Sequence, residues 1–233
     1  MRADFVANAS HELRTPLATL VGFIETLQGP AANDEAARAR FLDVMANESG
    51  RMTRLIDDLL SLSRIELDKN IRPREIIDLL PLIDNMTTTS AVALDADNRR
   101  LDVRIAEGLS HVVADRDQVL QVLHNLVTNA VKYGRTGTPI TLTVETAKAV
   151  QGDVVRIVVA DTGDGIAAEH IPRLTERFYR VDTGRSRRLG GTGLGLAIVK
   201  HIVERHRGTL EIHSEIGKGT TIAFTLPAAL SQI

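Results

Sequence analysis

Two runs of apolar residues at heptad spacing dominate the N-terminal part of the chain. A break at Gln28-Gly29-Pro30 separates them, and Asn33 and Asp34 offer caps for a new helix. Heptad spacing places one apolar stripe along a helix, so the pattern predicts two helices packed as an antiparallel hairpin. The stripe residues are Leu13, Leu17, Leu20, Ile24 and Leu27 in the first run and Phe41, Met45, Met52, Leu55, Leu59 and Leu62 in the second.

A hairpin of this kind leaves further apolar side chains without cover. Val6, Val44, Ile56 and Leu60 are left for a partner, and Glu48 is the one stripe position of the second run that is not apolar. A second copy of the hairpin would cover these side chains by completing a four-helix bundle. The pattern therefore predicts a homodimer.

His11 lies off the first stripe, so its imidazole is expected to face solvent. Glu12 follows directly, Arg14 and Thr15 lie within one helical turn, and Pro16 removes a backbone hydrogen bond just past the site. An exposed imidazole can attack a phosphoryl group, and a neighbouring carboxylate can orient it or accept its proton. The alternative is an exposed helical histidine without a role.

The composition supports packed cores and narrows the class of protein. Hydrophobic residues make up 43% of the 233 residues, and 28 basic and 30 acidic side chains give a net charge of −2. This balance argues against a generic nucleic-acid-binding protein, which carries a basic excess. Cysteine is absent, so disulfides, thiolate nucleophiles and Cys-ligated metals are excluded.

The chain contains no apolar run long enough to span a bilayer, and its first residues lack the apolar core of a signal peptide. We therefore expect a cytoplasmic location. Because the most informative motif comes so early, we also expect a sensor or a membrane anchor upstream of residue 1.

A polar stretch at 66–74 reads as a linker, and beyond it helical and strand patterns alternate. This order predicts an α/β two-layer sandwich. Helices are predicted at 75–96, 115–134 and 193–207, and strands at 101–105, 112–115, 138–146, 153–161, 208–215 and 219–227.

The stretch NLVTNAVKY at 125–133 carries Asn125, Asn129 and Lys132 on one helix face. Amide oxygens suit Mg²⁺ and an ammonium suits phosphate. Taken alone, such residues more often form a simple polar face.

Two glycine-rich stretches have the residues of a nucleotide site. In DTGDGI at 161–166, Asp161 ends a strand and can accept from an adenine amino group, while Gly163 and Gly165 would let the backbone approach a ligand. In GTGLGLAI at 191–198 the glycines run into a helix, whose free N–H groups can bind phosphate. Neither the dinucleotide fingerprint nor the P-loop is present.

The charged stretch at 167–192 is long for a connection inside a compact domain, which favours a lid. Arg180, Arg185, Arg187 and Arg188 could meet the charge of a triphosphate, and the alternative is a solvated loop.

Together these stretches resemble the boxes of the two-component sensor histidine kinases, in the order of that family. SHELRTPL at 10–17 is similar to the H-box, NLVTNAVKY to the N-box, DTGDGI to the first Gly box, ERFYRVD at 176–182 to the F-box, and GTGLGLAI to the second Gly box. FVANASHELRTPL and FYRVD look most like the phosphate-regulon sensor branch.

The resemblance implies a HisKA-type dimerisation and histidine-phosphotransfer domain at 1–66, a linker at 67–74, and a Bergerat-type (HATPase_c) catalytic ATP-binding domain at 75–233. His11 would be the phosphoacceptor and Glu12 its acid/base partner. Thr15 would belong to a pattern linked to removing phosphate from the partner protein. Arg180 would meet the γ-phosphate.

The resemblance also implies a nucleotide site for ATP and Mg²⁺. Asn129 would hold Mg²⁺ with Asn125 nearby, Lys132 would touch phosphate, Tyr133 would pack by the base or ribose, and Asp161 would read the adenine amino group. The whole site would comprise Asn125, Asn129, Lys132, Tyr133, Asp161, Gly163, Gly165, Ile166, Gly191, Thr192, Gly193, Leu194 and Gly195.

The implied function is ATP-dependent autophosphorylation on His11, then phosphoryl transfer to an aspartate of a response regulator, together with phosphatase activity on that regulator. The protein would be the cytoplasmic part of an inner-membrane sensor. Two alternatives stay open at this point. One is an ATPase of the same nucleotide-binding superfamily, as in chaperones or topoisomerases, and the other is a non-catalytic dimer scaffold that senses nucleotide.

Overall fold

The computed structural model describes residues 2–109, 111–150 and 152–229, which form two compact units. The first unit comprises the chain up to Ser63 together with Arg177–Leu194, and the second comprises Arg64–Glu176 and the chain from Gly195 onward. The helices are α1 (Arg2–Gln28), α2 (Glu35–Leu67), α3 (Leu80–Ala96), α4 (Arg116–Tyr133), α5 (Thr183–Arg188) and α6 (Gly195–Arg205). The strands are β1 (Ile76–Ile77), β2 (Leu101–Ile105), β3 (Val112–Val113), β4 (Ile140–Ala149), β5 (Gly152–Asp161), β6 (Leu210–Glu215) and β7 (Gly219–Pro227).

Helices α1 and α2 form the predicted antiparallel hairpin. Phe23 and Phe41 stack across it near the turn, with ring centroids 5.0 Å apart. Asp34 caps α2, because its Oδ1 accepts from the backbone N–H of Ala37 at 2.9 Å. Val6, Val44, Ile56 and Leu60 remain exposed on the hairpin, as the sequence predicts. Leu17 and Ile24, which were predicted to pack within the first stripe, are exposed as well.

The second unit is a two-layer α/β sandwich, which confirms the predicted fold class. Its five-stranded sheet has the order β2-β4-β5-β7-β6, with β2 and β4 parallel and every other pair antiparallel. Ile140, Leu142 and Val144 alternate along β4 and are fully buried, as a strand with one covered face requires. Helices α4 and α6 pack against the sheet, and α3 packs against α4.

The bounds of two helices differ from those predicted. The helix predicted from residue 75 begins at Leu80, because Pro81 suits the first turn and residues 76–77 pair instead with β3. The helix predicted from 193 begins at Gly195. The stretch at 167–192, for which the sequence favours a lid over a solvated loop, contains α5 and a 3-10 turn at Ile171–Arg173. Within the described residues, no helix has the length and apolar character needed to cross a bilayer.

Arg205, at the end of α6, joins this helix to the stretch after α2 and to the start of α4. Its Nε donates to the carbonyls of Asp68 at 3.3 Å and Ile71 at 3.0 Å, while Nη1 donates to Asp115 Oδ2 at 3.1 Å and Gln118 Oε1 at 2.8 Å. The polar stretch after α2 is therefore fixed to the first turn of α4.

Candidate functional site

His11 is exposed on α1, in the wall of a shallow groove. The groove is also lined by Arg14, Thr15, Ala18 and Thr19. The hydroxyl of Thr15 donates to the carbonyl of His11 at 3.2 Å. The imidazole is thus accessible to a phosphoryl donor, as the sequence predicts.

The side chain of Glu12 is held from two directions. Its Oε2 accepts from Nη2 of Arg51 at 3.0 Å and from Nη2 of Arg180 at 2.8 Å, and only 14% of the side chain is exposed. Arg51 also reaches Glu48 at 3.5 Å. This contact accounts for Glu48, the polar residue within the apolar stripe of α2.

Arg180 lies beside Glu12 in this structure, whereas the resemblance places it on a nucleotide phosphate. Its side chain is 4% exposed, and Nη2 also donates to the carbonyl of Thr192 at 2.8 Å. Its Nε is buried and has no hydrogen-bond partner among the described residues. The side chains of Arg187 and Arg188 lie outside what the structure describes.

The second Gly box is divided between the two units, and its first four residues belong to the first. The hydroxyl of Thr192 donates to Asp58 Oδ2 on α2 at 2.6 Å. Gly193 has a φ of +75°, and a Cβ there would come within 2.9 Å of the backbone of Phe178, so this position requires glycine. Gly191 donates to the carbonyl of Ser186 at 2.8 Å. Leu194 is fully buried.

The N-box residues lie on α4 of the second unit, as predicted. Asn125, Asn129 and Lys132 are half-buried, and Tyr133 is 37% exposed. The side-chain nitrogen Nδ2 of Asn125 is buried and has no hydrogen-bond partner among the described residues. A Cβ on Gly195 would lie 3.2 Å from Asn125 Oδ1, so the first residue of α6 lies against this amide.

Asp161 ends β5, and its carboxylate accepts from the backbone N–H of Gly163 at 2.7 Å. Burial raises the pKa of Asp161, while hydrogen bonds from the backbone of Gly163 and Thr220 and the charge of Arg99 act in the opposite direction. The end of the strand therefore holds a partly desolvated carboxyl group.

The glycines of DTGDGI admit protein backbone, whereas the sequence led us to expect that they admit a ligand. A Cβ on Gly163 would overlap the carbonyl of Tyr133, and a Cβ on Gly165, whose φ is +70°, would overlap the carbonyl of Glu215. The N–H of Ile166 is also occupied, since it donates to Ser214 Oγ at 2.9 Å. The turn is thus packed on both sides by its own chain.

Sequence reasoning missed three buried arginines, Arg51, Arg99 and Arg205, of which Arg51 contacts Glu12. Each is at least nine-tenths buried. Buried arginines are rare unless they are paired. For Arg51 the available signal was Glu48, a polar residue in an apolar stripe, because the two side chains form an ion pair. For Arg205 the signal was its position one turn after Ile202, on the buried face of α6.

Two family profiles cover most of the chain. The "His Kinase A (phospho-acceptor) domain" matches residues 1–68, and the "Histidine kinase-, DNA gyrase B-, and HSP90-like ATPase" matches residues 114–230. The first profile includes His11, and the second includes the N-box and both Gly boxes.

Nearly the whole chain is similar to known sensor kinases. The sensor histidine kinase WalK of Bacillus subtilis is 40% identical over 230 residues, which is 97% of this chain and 36% of that protein. The sensor protein kinase WalK of Staphylococcus aureus is 39% identical over 231 residues, which is 99% of this chain and 55% of that protein. The chain thus spans about a third to a half of the length of these relatives, and a place in the phosphate-regulon branch stays a prediction.

Solved structures agree with these matches. The Acinetobacter baumannii histidine kinase AdeS superposes with a TM-score of 0.71 at 25% identity, over 94% of this chain and 98% of that one. Full-length ShkA in complex with AMPPNP gives a TM-score of 0.68 at 26% identity, over 97% and 46%. With an exposed histidine on a helical hairpin and an ATPase fold after it, the chain belongs to the two-component sensor histidine kinases.

Proposed function

We propose that this chain is the kinase portion of a sensor that phosphorylates itself on His11 and passes the phosphoryl group to an aspartate of a response regulator. The observation that carries the proposal is the exposed imidazole of His11 beside Glu12, whose carboxylate is fixed by Arg51 and Arg180. The order of the two matched families, phosphoacceptor first and ATPase second, supports it.

In the first step a nitrogen of His11 attacks the γ-phosphorus of ATP. An N–P bond forms, the bond from the γ-phosphorus to the bridging oxygen breaks, and ADP leaves, while Glu12 accepts the imidazole proton. Phosphoryl transfer of this kind depends mainly on positioning and on charge stabilisation. In the second step the N–P bond breaks as the regulator's aspartate takes the phosphoryl group.

The second unit supplies the groups that ATP requires. Asp161 would accept from the adenine amino group, Lys132 would meet phosphate, and Tyr133 would pack by the base or ribose. The N-terminal end of α6 offers N–H groups to phosphate at Gly195. Gly163, Gly165 and Ile166 would shape the turn beneath the base.

The amide oxygens on α4 fit Mg²⁺, which takes few protein ligands and completes its coordination shell with phosphate and water. Asn129, with Asn125 beside it, would offer amide oxygens. The unpartnered Nδ2 of Asn125 is a hydrogen-bond donor, so it supports an acceptor such as a phosphate oxygen beside this face. When bound, Mg²⁺ supplies neutralisation of phosphate charge.

Other parts of the chain would serve the same reaction. Gly191, Thr192, Gly193 and Leu194, with Arg180, would close over the phosphates after leaving the hairpin. Thr15 would take part in removing phosphate from the regulator. We place the phosphotransfer domain at 1–66, the linker at 67–74 and the catalytic domain at 75–233.

The exposed apolar side chains of α1 and α2 support a homodimer that forms a four-helix bundle. A response-regulator receiver domain would dock beside His11. The chain would act in the cytoplasm as part of a longer, membrane-anchored sensor.

Incubation with γ-labelled ATP tests the function. Wild-type protein should gain label that is labile in acid and stable in alkali, as a phosphohistidine is, and His11→Gln should gain none. Replacing exposed His213 on β6 with Gln is the matched control and should leave the label unchanged. Label that persists in His11→Gln would contradict the assignment. ATP hydrolysis without label would favour an ATPase, and nucleotide binding without either would favour a scaffold.

A further inference from the structure

Arg51 lies on the buried face of α2, four residues before Leu55 and eleven before Leu62, both of which are buried. Arg51 itself is only 5% exposed. Glu48, three residues earlier, falls on the same face of the helix and within the apolar stripe. The helix therefore carries two charged residues where its own pattern calls for apolar ones.

The guanidinium of Arg51 joins two carboxylates. Nη2 donates to Oε2 of Glu12 on α1 at 3.0 Å, and Nη1 donates to Oε2 of Glu48 at 3.5 Å. The side chains of Glu12 and Glu48 are 14% and 26% exposed, so the three groups form a largely buried chain of alternating charge. Arg51 is thus held on its own helix by Glu48, and in turn it holds one oxygen of Glu12.

Stability alone does not account for this chain of charges. Burying an ion pair costs so much desolvation that an apolar replacement of similar volume is often as stable or more stable. Leu55 and Leu62 show that the same face of α2 packs with apolar residues further along. The place where the chain of charges ends supplies another reason, because Glu12 is the residue directly after His11.

Arg51 differs from Arg180, the other arginine on Glu12, in its place in the molecule. Arg180 comes from the segment 177–194, and its Nη2 also donates to the carbonyl of Thr192 at 2.8 Å. Arg51 and Glu12 both belong to the helical hairpin. Their contact therefore does not depend on the partners that the segment 177–194 adopts.

We propose that Arg51 is a positioning residue for phosphoryl transfer which, anchored by Glu48, keeps the carboxylate of Glu12 placed to accept the proton of His11. The inference rests on the proposed function, in which Glu12 is the acid/base partner of His11. A general base acts only within hydrogen-bond reach of the proton that it takes. A residue that limits the movement of this carboxylate therefore affects the rate of phosphorylation and not the binding of nucleotide.

The first measurement uses phosphoramidate, a small phosphoryl donor that needs no ATP site. Its N–P bond breaks and ammonia leaves as a new N–P bond to the imidazole forms, while Glu12 accepts the imidazole proton. Mass spectrometry compares the rate at His11 with the rate at His213, an exposed histidine on β6 of the same molecule. We expect this ratio of rates to fall about tenfold in Arg51→Met, and Arg51→Lys should recover part of the loss. An unchanged ratio in folded Arg51→Met would overturn the inference.

The double variant Glu12→Gln/Arg51→Met separates positioning from structural support. If Arg51 acts through Glu12, its replacement should slow phosphorylation of His11 no further once Glu12 has been replaced. A loss by the same factor in both backgrounds would show structural support only, and would overturn the inference. Arg40→Met removes an exposed arginine from the same helix and is the matched control, which should leave the ratio of rates unchanged.

A second variant keeps the test available if Arg51→Met does not fold. Glu48→Gln leaves the charge of Arg51 in place but weakens its anchor on α2. We expect the ratio of rates at His11 and His213 to fall in the same direction by a smaller factor, about two- to threefold. No fall in Glu48→Gln would overturn the inference.

The last measurement uses γ-labelled ATP and distinguishes this inference from the proposed function. Arg51→Met should lower the rate of labelling at saturating ATP and leave the Kd for ADP unchanged. A weaker Kd with an unchanged rate at saturating ATP would overturn the inference. If ATP does not label the wild type, while phosphoramidate labels His11 and Arg51→Met slows that reaction, the proposed function fails and the positioning role of Arg51 stands.

Discussion

Arg180 and Glu12 are 168 residues apart in the sequence, yet Nη2 of Arg180 lies 2.8 Å from Oε2 of Glu12. Both side chains are largely buried, and Arg51 donates to the same oxygen at 3.0 Å. The same nitrogen of Arg180 also donates to Thr192. The role predicted for Arg180 on the γ-phosphate would therefore give this guanidinium a partner other than the carboxylate that it contacts here.

We expect Glu12 and Arg180 to be energetically coupled. A double-mutant cycle with Glu12→Gln and Arg180→Met should give a coupling energy of about 1–3 kcal/mol in urea unfolding, because each truncation leaves a buried charge with fewer partners. Arg173 and Glu176 are the matched control. Their pair is 3.3 Å apart with both side chains about half exposed, and its coupling should stay under about 0.5 kcal/mol. Equal coupling in the two pairs would contradict the buried contact.

Gly165 should tolerate alanine much less well than Gly217 does. Both have positive φ, +70° and +82°, but a Cβ on Gly165 would overlap the carbonyl of Glu215, whereas a Cβ on Gly217 meets nothing within 4 Å. We expect Gly217→Ala to lower the free energy of unfolding by about 1–2 kcal/mol through backbone strain alone. Gly165→Ala should cost about 1–3 kcal/mol more, through overpacking. Thermal or chemical unfolding measures both, and similar losses would rule out the close approach.

His206 should make the protein less stable as the pH falls. It is 3% exposed, its Nε2 accepts from the backbone N–H of Asp115 at 2.9 Å, and its Nδ1 lies 2.7 Å from the carbonyl of Ile202. These bonds fit the neutral ring, and burial lowers the pKa of His206 below its ordinary 6.5. The unfolded chain therefore binds a proton at this histidine more readily than the folded chain does. The stabilising contribution of neutral His206 is complete above pH 6.5 and is lost as the pH falls through the folded-state pKa.

The measurement is the free energy of unfolding between pH 7.5 and pH 5. His206→Phe should be less stable at pH 7.5, because the N–H of Asp115 loses its acceptor, but its stability should change less across this range. Burial lowers the pKa of His124 as well, so some slope of the same sign should remain. An unaltered slope in His206→Phe would show that another group is responsible.

Arg205→Met should loosen the stretch after α2. Four hydrogen bonds are lost, to Asp68, Ile71, Asp115 and Gln118, and we expect a cost of about 2–4 kcal/mol. Amide hydrogen exchange at 68–71 should become faster in the variant. The exchange rate in Arg205→Lys should lie between those of the wild type and Arg205→Met, since one ammonium does not reproduce the fork of a guanidinium. Unchanged exchange at 68–71 would mean that other contacts hold this stretch.

Local signals in the sequence were sufficient for much of the fold. Asp115 caps α4 through a bond from the N–H of Gln118 at 3.2 Å, and Gly134 follows the last helical residue, so the helix keeps close to its predicted bounds of 115–134. Such signals act within a few residues, so they can be found in a single stretch of sequence. The strand at Leu101–Ile105 was predicted with its bounds for the same reason.

Contacts between distant residues were not accessible in this way. Arg51 meets Glu12 across 39 residues, and Arg205 meets Asp68 across 137. Periodicity identifies a buried face, but it does not identify which element will cover that face. In the same way, the glycine-rich stretch at 161–166 indicated that another group comes close to the backbone at Gly163, but it did not show that this group is the backbone of Tyr133.

The turn at 161–166 has one more consequence, for inhibition. Its shape is set by backbone packed on backbone at Gly163 and Gly165, so few side-chain changes can alter it without disrupting the second unit. Under the proposed function, an adenine-competitive compound that packs against this turn, and not against the neighbouring side chains, would leave the protein few routes to resistance. Substitutions that blocked such a compound at these glycines would also be expected to destabilise the kinase itself.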